Sequence, residues 1–271
     1  MLRPAWWFDP VPPNQVPTWE PLDAISIEAA FGESTGEGVR VAIVDGGVDN
    51  SHPAIAGQVK GWVEPYEENG KLQFRTEPHS DTSGHGTACA SIVLRVAPSV
   101  ELYSIKVLGA GMAGTGTFFA AGLHWAIEHN MQVVNLSLGT TKRDFYPILH
   151  ELADAAYFRR VVLVAAANNM PVPSFPSLYA SVVSVSSQED PDPLHFCYNQ
   201  SPPVEFGAPG INVHVAWSGG GYLRSTGNSF AAPHMVGLIA RILGRRPYLT
   251  PFQVKTILRA TAFNVRSPAR A

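Results

Sequence analysis

The chain has 271 residues, 45% hydrophobic and 15% charged, enough to bury a full core as one domain of the larger α/β kind. A formal net charge of −3 argues against nucleic acid or an anionic membrane as the main partner, and no apolar run approaches the ~18 residues of a membrane span. Cys89 and Cys197 permit one bridge and make no framework, which leans toward a reducing compartment.

Residues 1–17 hold five prolines around Trp6, Trp7 and Phe8, so an extended segment lying along the body of the domain is expected. It lacks the apolar core and small-residue cleavage site of an export signal, so a native N-terminus of this kind implies a cytoplasmic protein. Asp23 to Phe31 reads as a short amphipathic helix ended by Gly32. Val39 to Val44 is a β-branched run that predicts a buried strand stopping at Asp45-Gly46-Gly47. A carboxylate there sits on the sheet edge where α/β folds place ligands, although alone it reads first as a turn residue. Glu68-Asn69-Gly70-Lys71 predicts a tight hairpin turn between Trp62–Tyr66 and Leu72–Arg75.

Ser83-Gly84-His85-Gly86-Thr87 opens a helix of small residues with a histidine at its head, and a lone histidine there is equally a packing residue. Strand and helix then alternate: a strand over 100–107, a helix over 118–129, and a strand over 133–139. A helix over 148–158 and a strand over 161–167 follow, the latter ending at Asn168-Asn169. Strands near 181–186 and 204–207 and a Gly219-Gly220-Gly221 turn lead to the last motif. This alternation predicts a largely parallel sheet covered on both faces. Gly227-Asn228-Ser229 enters an apolar helix running to Leu243, which puts Ser229 at a helix N-terminus favouring developing negative charge; Pro233 is expected inside the first turn. A plain N-cap serine reads the same way.

Asp45, His85 and Ser229 are the three side-chain types that nucleophilic acyl transfer needs. Serine requires an imidazole to take its proton, and the imidazole requires a carboxylate to fix its tautomer. The Asn169 amide and the Ser229 N–H suit a developing oxyanion. Four motifs stand in order: Val-Ala-Ile-Val-Asp45-Gly-Gly-Val-Asp, Gly-His85-Gly-Thr, Val-Ala-Ala-Ala-Asn-Asn169, and Gly-Asn-Ser229-Phe-Ala-Ala-Pro-His. With Leu-Tyr-Ser-Ile-Lys-Val-Leu-Gly and Val-Asn-Leu-Ser-Leu-Gly between them, the stretch from Trp19 to Phe263 resembles the subtilisin-like serine proteases, the subtilases.

The resemblance implies a three-layer α/β fold over residues 18–271, a mostly parallel central sheet with helices on both faces. It implies Ser229 as nucleophile, His85 as general base and then acid, Asp45 as its orienter and Asn169 as oxyanion donor. Ser137, Leu138 and Gly139 match the segment that binds substrate backbone, Met112, Ala113 and Gly114 the other edge of the cleft, and Asn168 the rim of the pocket for the residue before the cut. The implied partner is a peptide bound as an added strand to a monomeric enzyme. Several features depart from the family. Asn228 and Phe230 replace the usual Thr and Met, and Asn228 is expected to hydrogen-bond near the oxyanion. Asn168 replaces a Gly, and Met170 to Pro176 is short and Pro-rich, so pocket preference does not carry over.

No cofactor is expected. The helix after His85 has no room for the calcium loop of many secreted relatives, while an oxygen cage elsewhere is left open. Cys89, one turn after His85, matches a cysteine of proteinase K-like members; it reads as a small buried residue and, as a second reading, predicts inhibition by mercurials. The family's pro-domain does not fit into the ~20 residues ahead of the body, so a chain made without one is expected, with residues 1–17 as a short plug or clamp. The reading is an active serine endopeptidase with a narrow processing role. The alternative is a catalytically weak peptide-binding homologue. A metal enzyme is disfavoured because the nine histidines show no His-Glu-x-x-His pattern, His79 reading as a turn residue.

Overall fold

The computed structural model describes residues 25–112, 114–201 and 203–265. The extension 1–17, the start of the first predicted helix and Ala113 lie outside them. The first described helix, α1 (Ile27–Ala30), is shorter than expected and is capped by the Ser26 side chain, which accepts from the Ala29 N–H at 3.0 Å.

The next elements are β1 (Arg40–Asp45), β2 (Val59–Glu68), β3 (Lys71–Arg75), α2 (His85–Val96) and β4 (Glu101–Lys106). They are followed by α3 (Gly116–Glu128), β5 (Val133–Leu136), α4 (Tyr146–Phe158), β6 (Val162–Ala166) and β7 (Val183–Gln188). The chain closes with β8 (Cys197–Tyr198), β9 (Phe206–Pro209), β10 (Val213–Trp217), β11 (Gly221–Ser225), α5 (Asn228–Arg245) and α6 (Pro251–Thr261). Nine strands form one sheet in the order β3-β2-β4-β1-β5-β6-β7-β9-β8. Neighbours from β2 to β9 run parallel, and antiparallel β3 and β8 close the edges.

The layers follow from alternation along the strands. On β1, Val41 and Ile43 join the core under α2, α5 and α6, while Ala42 and Val44 join the core under α3 and α4. Helix α5 is buried on nearly all sides, as its largely apolar sequence requires. It crosses α2 closely at Gly237, where an added Cβ would lie 2.5 Å from the Val96 Cβ. The hairpin turn forms as expected, with positive φ at both Asn69 and Gly70, the conformation that matches strand twist.

Two expectations are corrected, and one turn proves to join a strand pair that was not expected. The strand predicted over 133–139 stops at Leu136, leaving Ser137–Gly139 irregular. The Gly219–Gly221 turn joins two strands, β10 and β11, that pair antiparallel apart from the main sheet. Helix α5 begins at Asn228, so Pro233 lies beyond the first turn.

Candidate active site

Three elements deliver the reactive groups to one edge of the sheet. Asp45 is the last residue of β1 and is fully buried; His85 is the first residue of α2. They meet because Gly86 lets the helix start touch the strand end: an added Cβ there would lie 2.1 Å from the Gly47 carbonyl oxygen. His85 Nδ1 donates to Asp45 Oδ2 at 2.8 Å, and Asp45 Oδ1 accepts from the Gly46 N–H at 2.7 Å. A carboxylate only accepts, so Nδ1 carries the proton and Nε2 keeps the lone pair that a base needs. Burial pulls the imidazole toward its neutral form. The Asp45 charge and hydrogen bond, with the Asp81 charge further off, outweigh it, and the His85 pKa ends above its ordinary value.

Ser229 lies in the first turn of α5, where N–H groups lack an intrahelical carbonyl. Residue 233 would normally donate its N–H to the Ser229 carbonyl, four residues back, and Pro233 cannot. That carbonyl is taken instead by Ser137 Oγ at 2.7 Å and by the Cys89 thiol at 3.5 Å. Ser137 Oγ in turn accepts from Asn135 Nδ2 at 3.0 Å. A missing helix bond is thus converted into a cross-link among Ser229, the end of β5 and α2. Cys89 is fully buried, and burial together with the Asp45 charge holds its thiol well above the ordinary range, so it acts here as a neutral donor.

Asn169 is fixed by the Asn228 N–H, which donates to its Oδ1 at 2.9 Å and leaves Nδ2 as the free end. A point one Cβ out from Gly227 lies 3.3 Å from Ser229 Oγ and 3.6 Å from Asn169 Nδ2. Glycine keeps that point open, so no side chain stands between Ser229 Oγ and Asn169 Nδ2 there. The Asn228 side chain does not join them. Its Oδ1 accepts from Ser187 N–H at 2.8 Å and its Nδ2 donates to the Ala167 and Asn168 carbonyls, so it fastens the loop that carries Asn169.

A cavity of about 160 Å³ opens at this point, lined by Ser137, Leu138, Gly139, Ala166, Ala167, Asn168, Asn169, Ser174 and Ser229. Met112 and Gly114 follow β4 and lie outside that lining. No direct His85–Ser229 hydrogen bond forms; the Phe230 ring stands 5.5 Å from the imidazole beside it. Asp45, His85 and Cys89 also place potential metal-ligand atoms within 4.8 Å of one another, and an ion there would engage the His85 imidazole. His79 donates or accepts at Ser104 Oγ, 2.8 Å away, and burial with the Lys106 charge lowers its pKa to about 4, so it is no second base. A larger cavity of about 640 Å³ between Thr141–Pro147 and Val172–Phe175 holds none of the reactive groups.

Two residues of the site were not singled out from sequence. Asn135 is a polar residue in an otherwise apolar buried strand, and that need for a partner was a signal. Ser174 sits in the Pro-rich loop and carried none. No helix among the described residues is long and apolar enough to cross a membrane.

The Subtilase family profile matches residues 36–270. Subtilisin E of Bacillus subtilis (strain 168) is 32% identical over 84% of this chain and 61% of its own length. Subtilisin of Bacillus pumilus is 32% identical over 84% of this chain and 85% of its own. A cold adapted subtilisin-like serine proteinase superposes with a TM-score of 0.68 at 26% identity, over 88% of both chains. The chain thus spans about 61% of the length of Subtilisin E, and on profile, sequence and fold together it belongs to the subtilase family.

Proposed function

We propose that the chain is a serine endopeptidase acting through an acyl-enzyme on Ser229. The carrying observation is the buried Asp45 holding Nδ1 of His85, beside a pocket mouth where Ser229 Oγ and Asn169 Nδ2 face one open point. His85 Nε2 takes the serine proton as Oγ attacks the scissile carbonyl. The oxygen that becomes negative is met by Asn169 Nδ2 and the Ser229 N–H. The imidazolium then gives its proton to the leaving amine, and water repeats the sequence to release the acid. The relatives' names, Subtilisin and subtilisin-like serine proteinase, agree with this chemistry.

Substrate is read as an extended strand along Ser137–Gly139, with Met112 and Gly114 on its other side. The pocket lining carries no charged side chain, and its 160 Å³ compares with the roughly 150 Å³ cavity that holds benzene. This uncharged lining favours an uncharged residue before the cut. A narrow processing role suits that small pocket, and cleavage of unfolded casein at the rate of a digestive enzyme would exclude it. No cation is assigned to the start of α2, a reading supported by the unbroken run of that helix from His85 to Val96.

The second reading, a peptide-binding homologue with weak catalysis, stands on the missing direct His85–Ser229 bond. A fluorophosphonate probe separates the two, since Ser229 Oγ displaces fluoride from phosphorus only when the base is in place. A single adduct mapped to Ser229 and absent from S229A is expected. Folded wild type that takes no label would favour the binding reading.

A further inference from the structure

We propose that Asp81 is a positioning residue for this site: it pins the first turn of α2 against the end of β1 and adds a second carboxylate to the surroundings of His85. The inference rests on the endopeptidase reading.

The N-cap of α2 is Gly84, which has no side chain to cap with and stands in the left-handed conformation, φ 87°. Asp81 does that work from three residues further back. Its Oδ2 accepts from the Thr87 N–H at 2.8 Å and from Thr87 Oγ1 at 2.7 Å; its Oδ1 accepts from the Ser83 N–H at 2.9 Å and more weakly from Ser83 Oγ at 3.4 Å. Thr87 is the third residue of the helix, two after His85, so the carboxylate satisfies one of the helix's orphan donors and meets the positive end of its dipole. The same loop is tied to the end of β1. Thr82 N–H donates to the Gly46 carbonyl at 3.0 Å, and Thr87 Oγ1 accepts from the Asp49 N–H at 2.9 Å. Asp81 therefore lies between the two fastenings that set how His85 approaches Asp45.

The charge acts as well as the hydrogen bonds. His85 is met by Asp45 at the end of β1, by Cys89 on its own helix and by the uncharged Phe230 ring from α5; Trp217, at the end of β10, packs over Gly84. Among the described residues, Asp45 and Asp81 are the charged groups that favour the imidazolium, and Lys106 acts on His79 instead. Asp45 supplies the contact and Asp81 a smaller, partly screened addition.

The test is the second-order rate of fluorophosphonate labelling at Ser229 as a function of pH, for wild type, Asp81→Asn and Asp81→Glu, with a thermal melt of each. D81N is expected to label about tenfold more slowly on its plateau, a size typical of a displaced catalytic group. Its acid-limb midpoint is expected to fall by about half a pH unit, as loss of the more distant of two carboxylates requires. D81E keeps the charge and should keep the wild-type midpoint even where it is slow. A purely structural role would slow D81N at every pH and leave its midpoint in place; that result, or a midpoint that falls equally in D81E, overturns the proposal. Should D81N fail to fold, Thr87→Ala removes one fastening and leaves both carboxylates. It is expected to label at least about threefold more slowly with an unmoved midpoint, and labelling at the wild-type rate overturns the proposal. A wild-type chain that takes no label overturns the endopeptidase reading and this proposal with it.

Discussion

Asn169 does one task in the proposed mechanism, and its role separates cleanly from substrate binding. It donates toward an oxygen that becomes fully negative only in the transition state, so its loss belongs in kcat and not in KM. Asn169→Ala is expected to lower kcat about 10²–10³-fold, the range known for removing one such donor from a subtilisin, with KM little changed. Steady-state kinetics on any cleaved peptide would show it, and a rise in KM at constant kcat would place Asn169 in ground-state binding instead. Asn169, like Asp45, His85 and Ser229, was legible in the sequence because each stands where a strand ends or a helix begins, and the motif around it is local. Asp81 was not. Its partner Thr87 lies six residues on, across a left-handed glycine, and no sequence spacing for capping covers that path. The direction of the Asn228 side chain was hidden for a related reason, since its three bonds go to residues 41 to 61 positions away.

The start of α5 shows how an element can be predicted while its use is not. The apolar run and the serine ahead of it were plain, but the helix begins three residues earlier than its apolar face, because Asn228 to Phe230 turn helically to present Ser229. That shift moves Pro233 to a position where its missing N–H matters, and Ser137 becomes the main donor to the Ser229 carbonyl. Ser137→Ala should therefore cost about 1–3 kcal/mol of stability, the range for stranding a buried acceptor. Pro233→Ala restores an amide N–H facing the same carbonyl. In the double variant the loss on removing Ser137 should shrink, and a double-mutant cycle by denaturant unfolding measures this coupling. Additive losses would mean that the carbonyl does not depend on Ser137. The irregular Ser137–Gly139 segment, read as strand from its apolar residues, belongs to the same account, since the side chain that would continue β5 is committed to α5. The missed hairpin of β10 and β11 has a different cause. Its strands pair only with each other and alternate with polar residues such as His214 and Arg224, so no buried run announced them.

At the scale of the whole molecule, two histidines, His234 in the core and the half-buried His79, bear on how stability depends on acid. His234 lies in α5 one turn after Phe230 and is 1% exposed, with its Nδ1 2.9 Å from the Phe230 carbonyl oxygen. Burial outweighs that contact and lowers its pKa to about 4, and burial does the same to His79. Both are depressed below the unfolded value of about 6.5, so between those limits the unfolded chain binds more protons than the folded one. Their contribution is present above about pH 6.5 and is lost as the pH falls through about 4. His85 has the opposite sign. Its pKa is raised, so what it contributes is present below the unfolded value and is lost as the pH rises through its folded one. Stability should thus fall on the acid side with a slope near 1.4 kcal/mol per pH unit from the buried His234, and less from His79, which keeps some contact with water. Denaturant unfolding of wild type and His234→Gln at about pH 4.5 and about pH 7 checks the sign, because carboxylates titrate alike in both chains and cancel in the difference. The variant is expected to lose distinctly less stability between the two pH values. Equal losses would show that His234 is charged in the folded core, and α5 would then have to hold that charge about one and a half turns from Ser229.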